Sequence, residues 1–213
     1  MVMQKTVLIL AGGQSIRFQH RDKCFIILNN KPLLLHAIDS VSNVADELIV
    51  AARDEMQGER IRDVIRNKKV RLVFDTLKGV GPLAGILAGL KEASGSYALV
   101  IGCDMPFVNV RVVEFLFELV SMGYDAVVPR WENGMLEPLH AVYRREPMRV
   151  AITRATKKQD RVNVFDALSY LKKVEFLSIK RLKVIDPNLN TFTNINTPEQ
   201  LGRYGKEQSA NEC

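Results

Sequence analysis

Apolar runs of strand length alternate with helix-length segments along the first half of the sequence. The first run, at 6–10, is followed by a segment with helical spacing at 32–44 and by a second apolar run at 47–51. Parallel strands need crossover helices, and these helices then cover both faces of the sheet. The alternation therefore predicts an α/β fold: three α/β/α layers with a mostly parallel, Rossmann-like central sheet.

Later segments extend this pattern along the chain. We predict strands at 70–74, 97–101, 126–128, 140–143 and 191–196, and helices at 54–65, 82–93, 110–122, 147–156 and 164–171. A last helix is predicted to begin at Pro198 with Thr197 as its N-cap, followed by a frayed tail at 206–213. A length of 213 residues, 47% of them hydrophobic, suits one domain at 1–213.

Charge and cysteine content narrow the possible partners and compartments. A net charge of +6 and a pI near 9.3 favour anionic partners, but the basic residues are dispersed with few aromatic neighbours, which argues against nucleic acid. The sequence shows neither a membrane-length apolar run nor a leader peptide, so we expect no membrane attachment. Cys24, Cys103 and Cys213 suit neither a disulfide framework nor a zinc site, which favours the cytoplasm.

A glycine-rich segment, LAGGQSIR at 10–17, directly follows the first predicted strand. It therefore lies at the carboxyl end of the sheet, where ligands of α/β proteins bind. Glycines allow close approach of the backbone, consecutive N–H groups can point at phosphate oxygens, and Arg17 and Lys23 would add positive charge. The segment is neither a Walker A loop nor a dinucleotide fingerprint. Alone, it indicates either a phosphate-binding loop or an ordinary tight turn.

Two aspartates follow predicted strands at the same edge of the sheet: Asp75 after 70–74 and Asp104 after 97–101. Mg²⁺ is usually held by one or two carboxylates together with substrate oxygens, a role open to Asp104. The Asp75 carboxylate could accept hydrogen bonds from hydroxyl or N–H groups of a ligand bound at this edge. For both aspartates the alternative is to cap the turn that follows the strand.

Three further polar residues occur in the second half. Asn194 and Asn196 alternate along the predicted strand 191–196, so both side chains are expected on one face. His140 opens the predicted strand 140–143. Turn formation by the asparagines and burial of the histidine are the structural alternatives.

Taken together, these segments resemble the molybdenum cofactor guanylyltransferases, a family of nucleotidyltransferases. The matching motifs, in family order, are LAGGxSxR at 10–17, DK at 22–23, KPL at 31–33, GPLAG at 81–85, CDMP at 103–106 and NINTP at 194–198. The resemblance extends from Leu8 to Leu201. One departure is Gln19, which stands where the family usually has a glycine.

The resemblance implies transfer of GMP from GTP to molybdopterin with release of pyrophosphate and with Mg²⁺ as cofactor. Residues 1–123 would form a nucleotide-binding half and residues 124–205 an acceptor-binding half. Catalytic roles are expected for Lys23, Arg17 and Asp104, and Asp104 would also bind the metal. The nucleotide would contact Leu10, Ala11, Gly12, Gly13, Ser15, Lys23, Asp75, Gly81 and Asp104, and the acceptor would contact Asn194, Asn196 and His140.

Other functions share part of this pattern. A molybdopterin cytidylyltransferase or an adenosylcobinamide-phosphate guanylyltransferase would carry the same glycine-rich segment and aspartate. A non-catalytic nucleotide-binding protein is a further alternative, because function depends on the site and not on the fold. For a guanylyltransferase, the expected partners are GTP and molybdopterin as substrates, with transient contacts to other cofactor-biosynthesis proteins or to apo-molybdoenzymes.

Overall fold

The computed structural model describes residues 3–12, 14–15, 21–77, 79–158 and 162–209. Its strands, in chain order, are β1 (Lys5–Leu10), β2 (Gln14–Ser15), β3 (Arg21–Asp22), β4 (Ile27–Leu28), β5 (Lys31–Pro32), β6 (Glu47–Ala52), β7 (Arg71–Phe74), β8 (Tyr97–Gly102), β9 (Ala126–Arg130), β10 (His140–Arg144) and β11 (Val174–Ser178). Its α-helices are α1 (Leu33–Val41), α2 (Glu55–Ile65), α3 (Pro82–Glu92), α4 (Val110–Ser121), α5 (Arg145–Lys158), α6 (Val164–Leu168), α7 (Ile179–Lys183) and α8 (Pro198–Ser209).

Seven of these strands form one sheet in the order β11-β9-β10-β8-β1-β6-β7. β1 pairs in parallel with both β6 and β8, β6 with β7, and β9 with β11, whereas β10 is antiparallel to β8 and to β9. The central strands are therefore parallel, and their carboxyl ends meet at one edge. The predicted α/β class with a mostly parallel sheet is confirmed.

Side chains that alternate along the strands pack into two hydrophobic cores, one on each face of the sheet. Val7 and Ile9 of β1 belong to one buried cluster, which also contains residues of α1, α2, α4 and α7. Leu8 belongs to the other, which contains residues of α3, α5 and α6. Because both faces are covered by helices, the strands are apolar along most of their length. This burial produces the three layers expected from the sequence.

Local sequence sets where the helices begin. Asp54 precedes α2, and its side chain accepts a hydrogen bond from the Gln57 N–H at 2.8 Å. Asn109 caps α4 in the same way through the N–H of Arg111. The Thr197 hydroxyl accepts from the Gln200 N–H at 3.3 Å, in agreement with the predicted N-cap of α8. Such side-chain acceptors satisfy backbone donors that lack an intrahelical partner.

The second half differs from the sequence prediction in three places. The predicted strand 191–196 is wrong: Asn190–Phe192 forms a 3₁₀ turn, followed by extended residues outside the sheet. The predicted helix 164–171 ends earlier, at Leu168. The prediction also missed β11 and α7. β11 is an edge strand with only Leu177 buried and with lysines on both sides, so its apolar signal is weak.

Among the described parts of the chain, no helix is both long enough and apolar enough to cross a bilayer.

Candidate nucleotide-binding site

A cavity of about 740 Å³ opens at the carboxyl edge of the sheet, and we call it the carboxyl-edge cavity. It lies where β1, β6, β7 and β8 end, the position at which α/β proteins bind their ligands. The predicted site residues that line it are Leu10, Gly12, Lys23, Asp75, Gly81 and Asp104. Its size falls in the range of small-molecule sites.

The glycine-rich segment enters this cavity directly from β1. The Ala11 N–H donates to the Ala51 carbonyl at 2.9 Å, which extends the β1–β6 pairing beyond the strand, and Ala11 itself is fully buried. Gly12 lies close to Asp75, since a Cβ built on it would be 3.4 Å from Asp75 Oδ2. Ser15 belongs to β2, which pairs with β3 and so returns the chain toward Lys23. The predicted roles of Gly13 and Arg17, and the replacement at Gln19, lie outside the described residues.

Lys23 holds together two segments that are far apart in the sequence. Its Nζ donates to Asp104 Oδ2 at 2.7 Å and to Asn196 Oδ1 at 2.5 Å. The Lys23 and Asp104 side chains are 19% and 18% exposed, so this ion pair is partly shielded from water but reachable from the cavity. A phosphate group could therefore reach the Lys23 ammonium, and a metal ion could reach the Asp104 carboxylate.

A tight turn after β8 places the Asp104 carboxylate at the cavity. The Met105 N–H donates to the Gly102 carbonyl at 3.4 Å, and a Cβ on Gly102 would lie 2.4 Å from Asp104 Oδ1. Only glycine leaves room for the carboxylate in this position. The Ile195 N–H donates to the Asp104 carbonyl at 2.9 Å, which fastens the segment containing Asn196 to the same turn.

Asp75 is the second carboxylate of the cavity, and its environment disfavours its charge. Its Oδ1 is buried and has no hydrogen-bond partner among the described residues. Burial raises the pKa of Asp75 from 3.8 to about 6, although Arg53 acts in the opposite direction. An acceptor that is desolvated and unsatisfied can bind a ligand N–H or O–H without first losing another partner.

Because burial disfavours the charged form of Asp75, this residue should lower the free energy of unfolding at neutral pH. The folded-state pKa lies above the unfolded value, so the folded protein loses stability as the pH rises from about 4 to about 6. Allowing for solvent screening, we expect Asp75→Asn to raise the free energy of unfolding at pH 7.5 by about 1–2 kcal/mol. Urea unfolding of both proteins from pH 4 to 7.5 measures this difference, which should vanish at pH 4. A variant that is less stable at pH 7.5 would contradict the assignment.

Gly81 adopts a backbone conformation that side chains disfavour. Its φ is +55°, and it directly precedes Pro82 at the first turn of α3. Both residues line the carboxyl-edge cavity. The predicted role of Gly81 as part of the site wall is compatible with this position and stays a prediction.

The two predicted acceptor-side asparagines have different surroundings. Asn196 contacts Lys23, whereas the Asn194 Nδ2 donates to the Phe192 carbonyl at 3.2 Å. The expected common face is not found, because the segment is not a strand and strand alternation does not apply. Asn196 is thereby part of the charged centre of the site, while Asn194 stabilises the local turn.

His140 lies in the core, and the structure does not bring it to the cavity. Its side chain is fully buried, its ring packs edge-on against Phe192 at 4.8 Å, and its Nε2 lies 3.2 Å from the Thr191 hydroxyl. Burial lowers its pKa to about 3, so the ring is neutral at physiological pH. A neutral, enclosed imidazole does not fit the predicted contact with an acceptor phosphate. The neighbouring Leu139 lines the cavity instead, as alternation along the chain at the start of β10 requires.

Sequence reasoning missed Arg53, which also lines the cavity. Its guanidinium donates to Asp22 Oδ1 at 2.9 Å and to Asp54 Oδ2 at 2.9 Å. Asp22 is only 8% exposed and also accepts from Arg60 at 3.2 Å. Arg53 directly follows β6, and Asp22 immediately precedes Lys23, so these hydrogen bonds connect the end of β6 to the segment that carries Lys23. Arg53 belongs to none of the sequence motifs. Among the residues of this network, only the Asp22–Lys23 pair was part of a motif.

A buried glutamine joins three segments of the cavity wall. Gln57 is 1% exposed, its Nε2 donates to the Ala11 carbonyl at 2.9 Å, and its Oε1 accepts from the Arg53 N–H at 2.8 Å. Its Nε2 also lies 3.8 Å from Cys24 Sγ. The spacing of Asp54 and Gln57 is that of a capping box, which could have indicated the helix start but not these long-range contacts.

Two cysteines lie behind the charged residues. Cys24 and Cys103 are both buried free thiols, each adjacent in sequence to a member of the Lys23–Asp104 pair. Hydrogen bonding with Cys24, together with burial, raises the pKa of the Cys103 thiol. A thiol held protonated in this way is a poor nucleophile, and both cysteines pack in the hydrophobic core.

The donor set around Asp104 fits a metal that is shared with a substrate. In the described ranges no group of three or more histidine, cysteine or acidic side chains could enclose an ion. Mg²⁺ does not need such a cage, because it is usually held by one or two carboxylates, water and substrate phosphates. Asp104 is available at the cavity for that kind of binding.

A cavity at the carboxyl edge of a doubly wound sheet, with a glycine-rich segment and a paired lysine and carboxylate, defines a nucleotide-handling α/β protein. Residues 7–172 match a family model described as the MobA-like NTP transferase domain. The chain belongs to this family of nucleotidyltransferases.

Individual relatives agree with the family match. A probable molybdenum cofactor guanylyltransferase of Methanosarcina mazei is 37% identical over 200 residues, covering 92% of this chain and 88% of the relative. A molybdenum cofactor guanylyltransferase of Desulfosudis oleivorans is 36% identical over 196 residues, or 92% of each chain. The crystal structure of molybdopterin-guanine dinucleotide biosynthesis protein A from Archaeoglobus fulgidus has a TM-score of 0.82 at 30% identity, covering 96% of this chain and 99% of that one.

Proposed function

We propose that this protein transfers GMP from GTP to molybdopterin in molybdenum cofactor biosynthesis, releasing pyrophosphate. The observation that carries the proposal is the Lys23–Asp104 pair in the carboxyl-edge cavity. The molybdenum cofactor guanylyltransferases that match over nine-tenths of the chain supply the choice of substrates. The cytoplasm is the proposed compartment, and transient contact with other cofactor-biosynthesis proteins or apo-molybdoenzymes is part of the same proposal.

In the proposed reaction, a phosphate oxygen of the acceptor forms a bond to the α-phosphorus of GTP. The bond from that phosphorus to the bridging oxygen breaks, and pyrophosphate leaves with the electron pair. A phosphate oxygen needs no activation by a covalent enzyme intermediate, so positioning and charge neutralisation carry the rate enhancement. The Lys23 ammonium would exchange its hydrogen bond to Asn196 for contacts with the triphosphate, whose negative charge it would neutralise. The N–H groups near Gly12 would face the phosphate oxygens.

Asp104 would hold Mg²⁺ together with phosphate oxygens. When bound, the ion supplies positive charge to the α-phosphate and to the departing pyrophosphate. On the nucleoside side, Asp75 would accept hydrogen bonds from guanine N–H groups. Its carboxylate is deprotonated above a pKa of about 6, so the acceptor is present at neutral pH.

The nucleotide preference can be measured by calorimetric titration with GTP, CTP and ATP in the presence of Mg²⁺. Cytosine and adenine present no pair of N–H donors equivalent to that of guanine, so we expect GTP to bind at least about tenfold more tightly than either. Asp75→Asn is the matched variant and should reduce this preference. Equal affinities, or a preference for CTP, would overturn the guanylyltransferase assignment.

The acceptor is tested separately by following pyrophosphate release with GTP. We expect release with molybdopterin and none with adenosylcobinamide phosphate. The reverse result would assign the protein to cobamide synthesis, and GTP binding without release for either acceptor would favour a non-catalytic role.

A further inference from the structure

A second cavity, of about 720 Å³, lies at the opposite edge of the sheet. We call it the amino-edge cavity, because Tyr97, the first residue of β8, lies in its wall, whereas Gly102, the last, lines the carboxyl-edge cavity. These two residues are the ends of a six-residue strand, about 17 Å apart at about 3.3 Å per residue. The amino-edge cavity is therefore distinct from the nucleotide-binding site.

The amino-edge cavity carries an excess of positive charge. Its wall contains four cationic side chains (Arg144, Arg145, Arg154 and Lys172) and two carboxylates (Asp125 and Glu146). Arg144 lies 3.8 Å from Asp125, and Glu146 is hydrogen-bonded to Arg149 at 2.8 Å. Within the described residues, Arg154 and Lys172 have no ion-pair partner. Two exposed cations at this cavity are thus available to an anion.

One donor of Arg145, which lines this cavity, lacks an acceptor. The Arg145 Nε is buried and has no hydrogen-bond partner in the described part of the chain, although its Nη1 donates to the Ala93 carbonyl. The nearest carboxylate oxygen, on Glu146, lies 3.7 Å away, too far for a hydrogen bond. A buried guanidinium N–H without an acceptor is energetically costly, and a ligand oxygen would remove that cost.

The first turn of α5 adds to the attraction for an anion. α5 is 14 residues long and begins at Arg145, with Glu146, Pro147, Val150 and Ala151 lining the same cavity. Partial positive charge at a helix N-terminus favours anionic ligands, and guanidinium groups bind phosphate oxygens in a fixed geometry. Beside this charge, the rings of Tyr97 and Tyr170 give the wall an aromatic component.

We propose that the amino-edge cavity binds a small organic phosphate. The phosphate group accepts hydrogen bonds from Arg145 and is neutralised by Arg154 and Lys172, and the organic part packs against Tyr97 and Tyr170. This site is separate from the proposed reaction and does not depend on which nucleotide or acceptor the enzyme uses.

Phenyl phosphate is a suitable probe, because it combines a phosphate with one aromatic ring. We expect calorimetry to show one binding event with wild type that persists in Lys23→Ala, the variant that impairs the carboxyl-edge cavity. Arg154→Glu/Lys172→Glu should weaken binding at least tenfold, and Arg66→Glu/Lys69→Glu, a matched charge reversal of exposed residues on another surface, should change it less than twofold. Inorganic phosphate should bind more weakly than phenyl phosphate.

Each other outcome overturns the proposal. No binding to wild type removes the site, and loss of binding in Lys23→Ala places the probe in the carboxyl-edge cavity. Equal losses in the two charge-reversed proteins indicate a general charge effect, and equal affinity for inorganic phosphate leaves no role for the tyrosines. Thermal melting checks that every variant folds, and GMP transfer checks this again for the two charge-reversed proteins; if Arg154→Glu/Lys172→Glu does not fold, Arg154→Gln/Lys172→Gln takes its place with the same expected loss.

Discussion

Replacing Asp104 by asparagine is expected to lower the rate of GMP transfer by about a thousandfold, equivalent to about 4 kcal/mol of transition-state stabilisation. The amide keeps the shape of the side chain but removes the charge that Mg²⁺ prefers, so the charge developing between the α- and β-phosphates loses its counter-ion. GMP transfer across a Mg²⁺ titration measures the effect. Asp63→Asn, which removes an exposed carboxylate from α2, is the matched control and should retain full activity.

Thermal melting separates this loss from a structural defect. Asp104 and Lys23 form a partly buried ion pair, so Asp104→Asn should cost about 1 kcal/mol, or a few degrees in Tm. Full activity with an unchanged Mg²⁺ dependence would remove Asp104 from the metal site. Extensive unfolding of the variant would instead show that the carboxylate mainly holds the turn after β8.

Replacing Lys23 by alanine is expected to lower the transfer rate by about a hundredfold or more. The ammonium lies in the carboxyl-edge cavity, where it contacts Asp104 and Asn196, and a positive charge in such a partly dehydrated cleft stabilises phosphate charge strongly. Steady-state kinetics over a range of GTP concentrations measures the loss, with Lys91→Ala, an exposed lysine of α3, as the control. Turnover near that of wild type would mean that Lys23 does not contact the triphosphate.

The contact between the two residues makes the double variant informative. Because Lys23 Nζ and Asp104 Oδ2 are 2.7 Å apart, their effects on the rate should not add. The combined variant is expected to lose less than the product of the two single losses. Strict additivity would indicate that the ion pair is broken in the working enzyme.

Much of the structure of the first half of the chain follows from its sequence. Strands such as β1 and β8 are apolar along their length because both faces of the sheet are buried, so their positions are predicted to within about a residue. Strand ends then place Asp75 and Asp104 at one edge without knowledge of any contact. The family motifs add Lys23, which no periodicity would single out.

The second half carries weaker signals. Phe192 and Ile195 are apolar, as residues of a buried strand usually are. In the structure, however, Phe192 lies in a 3₁₀ turn and Ile195 in the segment after it, and the two side chains pack into different hydrophobic clusters. His140 occurs in a sequence that permits either exposure or burial, and only tertiary packing places it under Phe192. The bond from Lys23 to Asn196 spans 173 positions, which no local pattern encodes.

That long span has a consequence for synthesis of the protein. During translation the strands that carry the glycine-rich segment, Asp75 and Asp104 leave the ribosome well before residues 194–196. A nascent chain can therefore assemble much of its parallel sheet while Lys23 still lacks one of its two partners and Asp104 lacks its backbone bond to Ile195. Domains fold largely as units, and contacts of high sequence separation form late because they must first close a long loop. Completion of the charged centre therefore waits until residues 194–196 have left the ribosome.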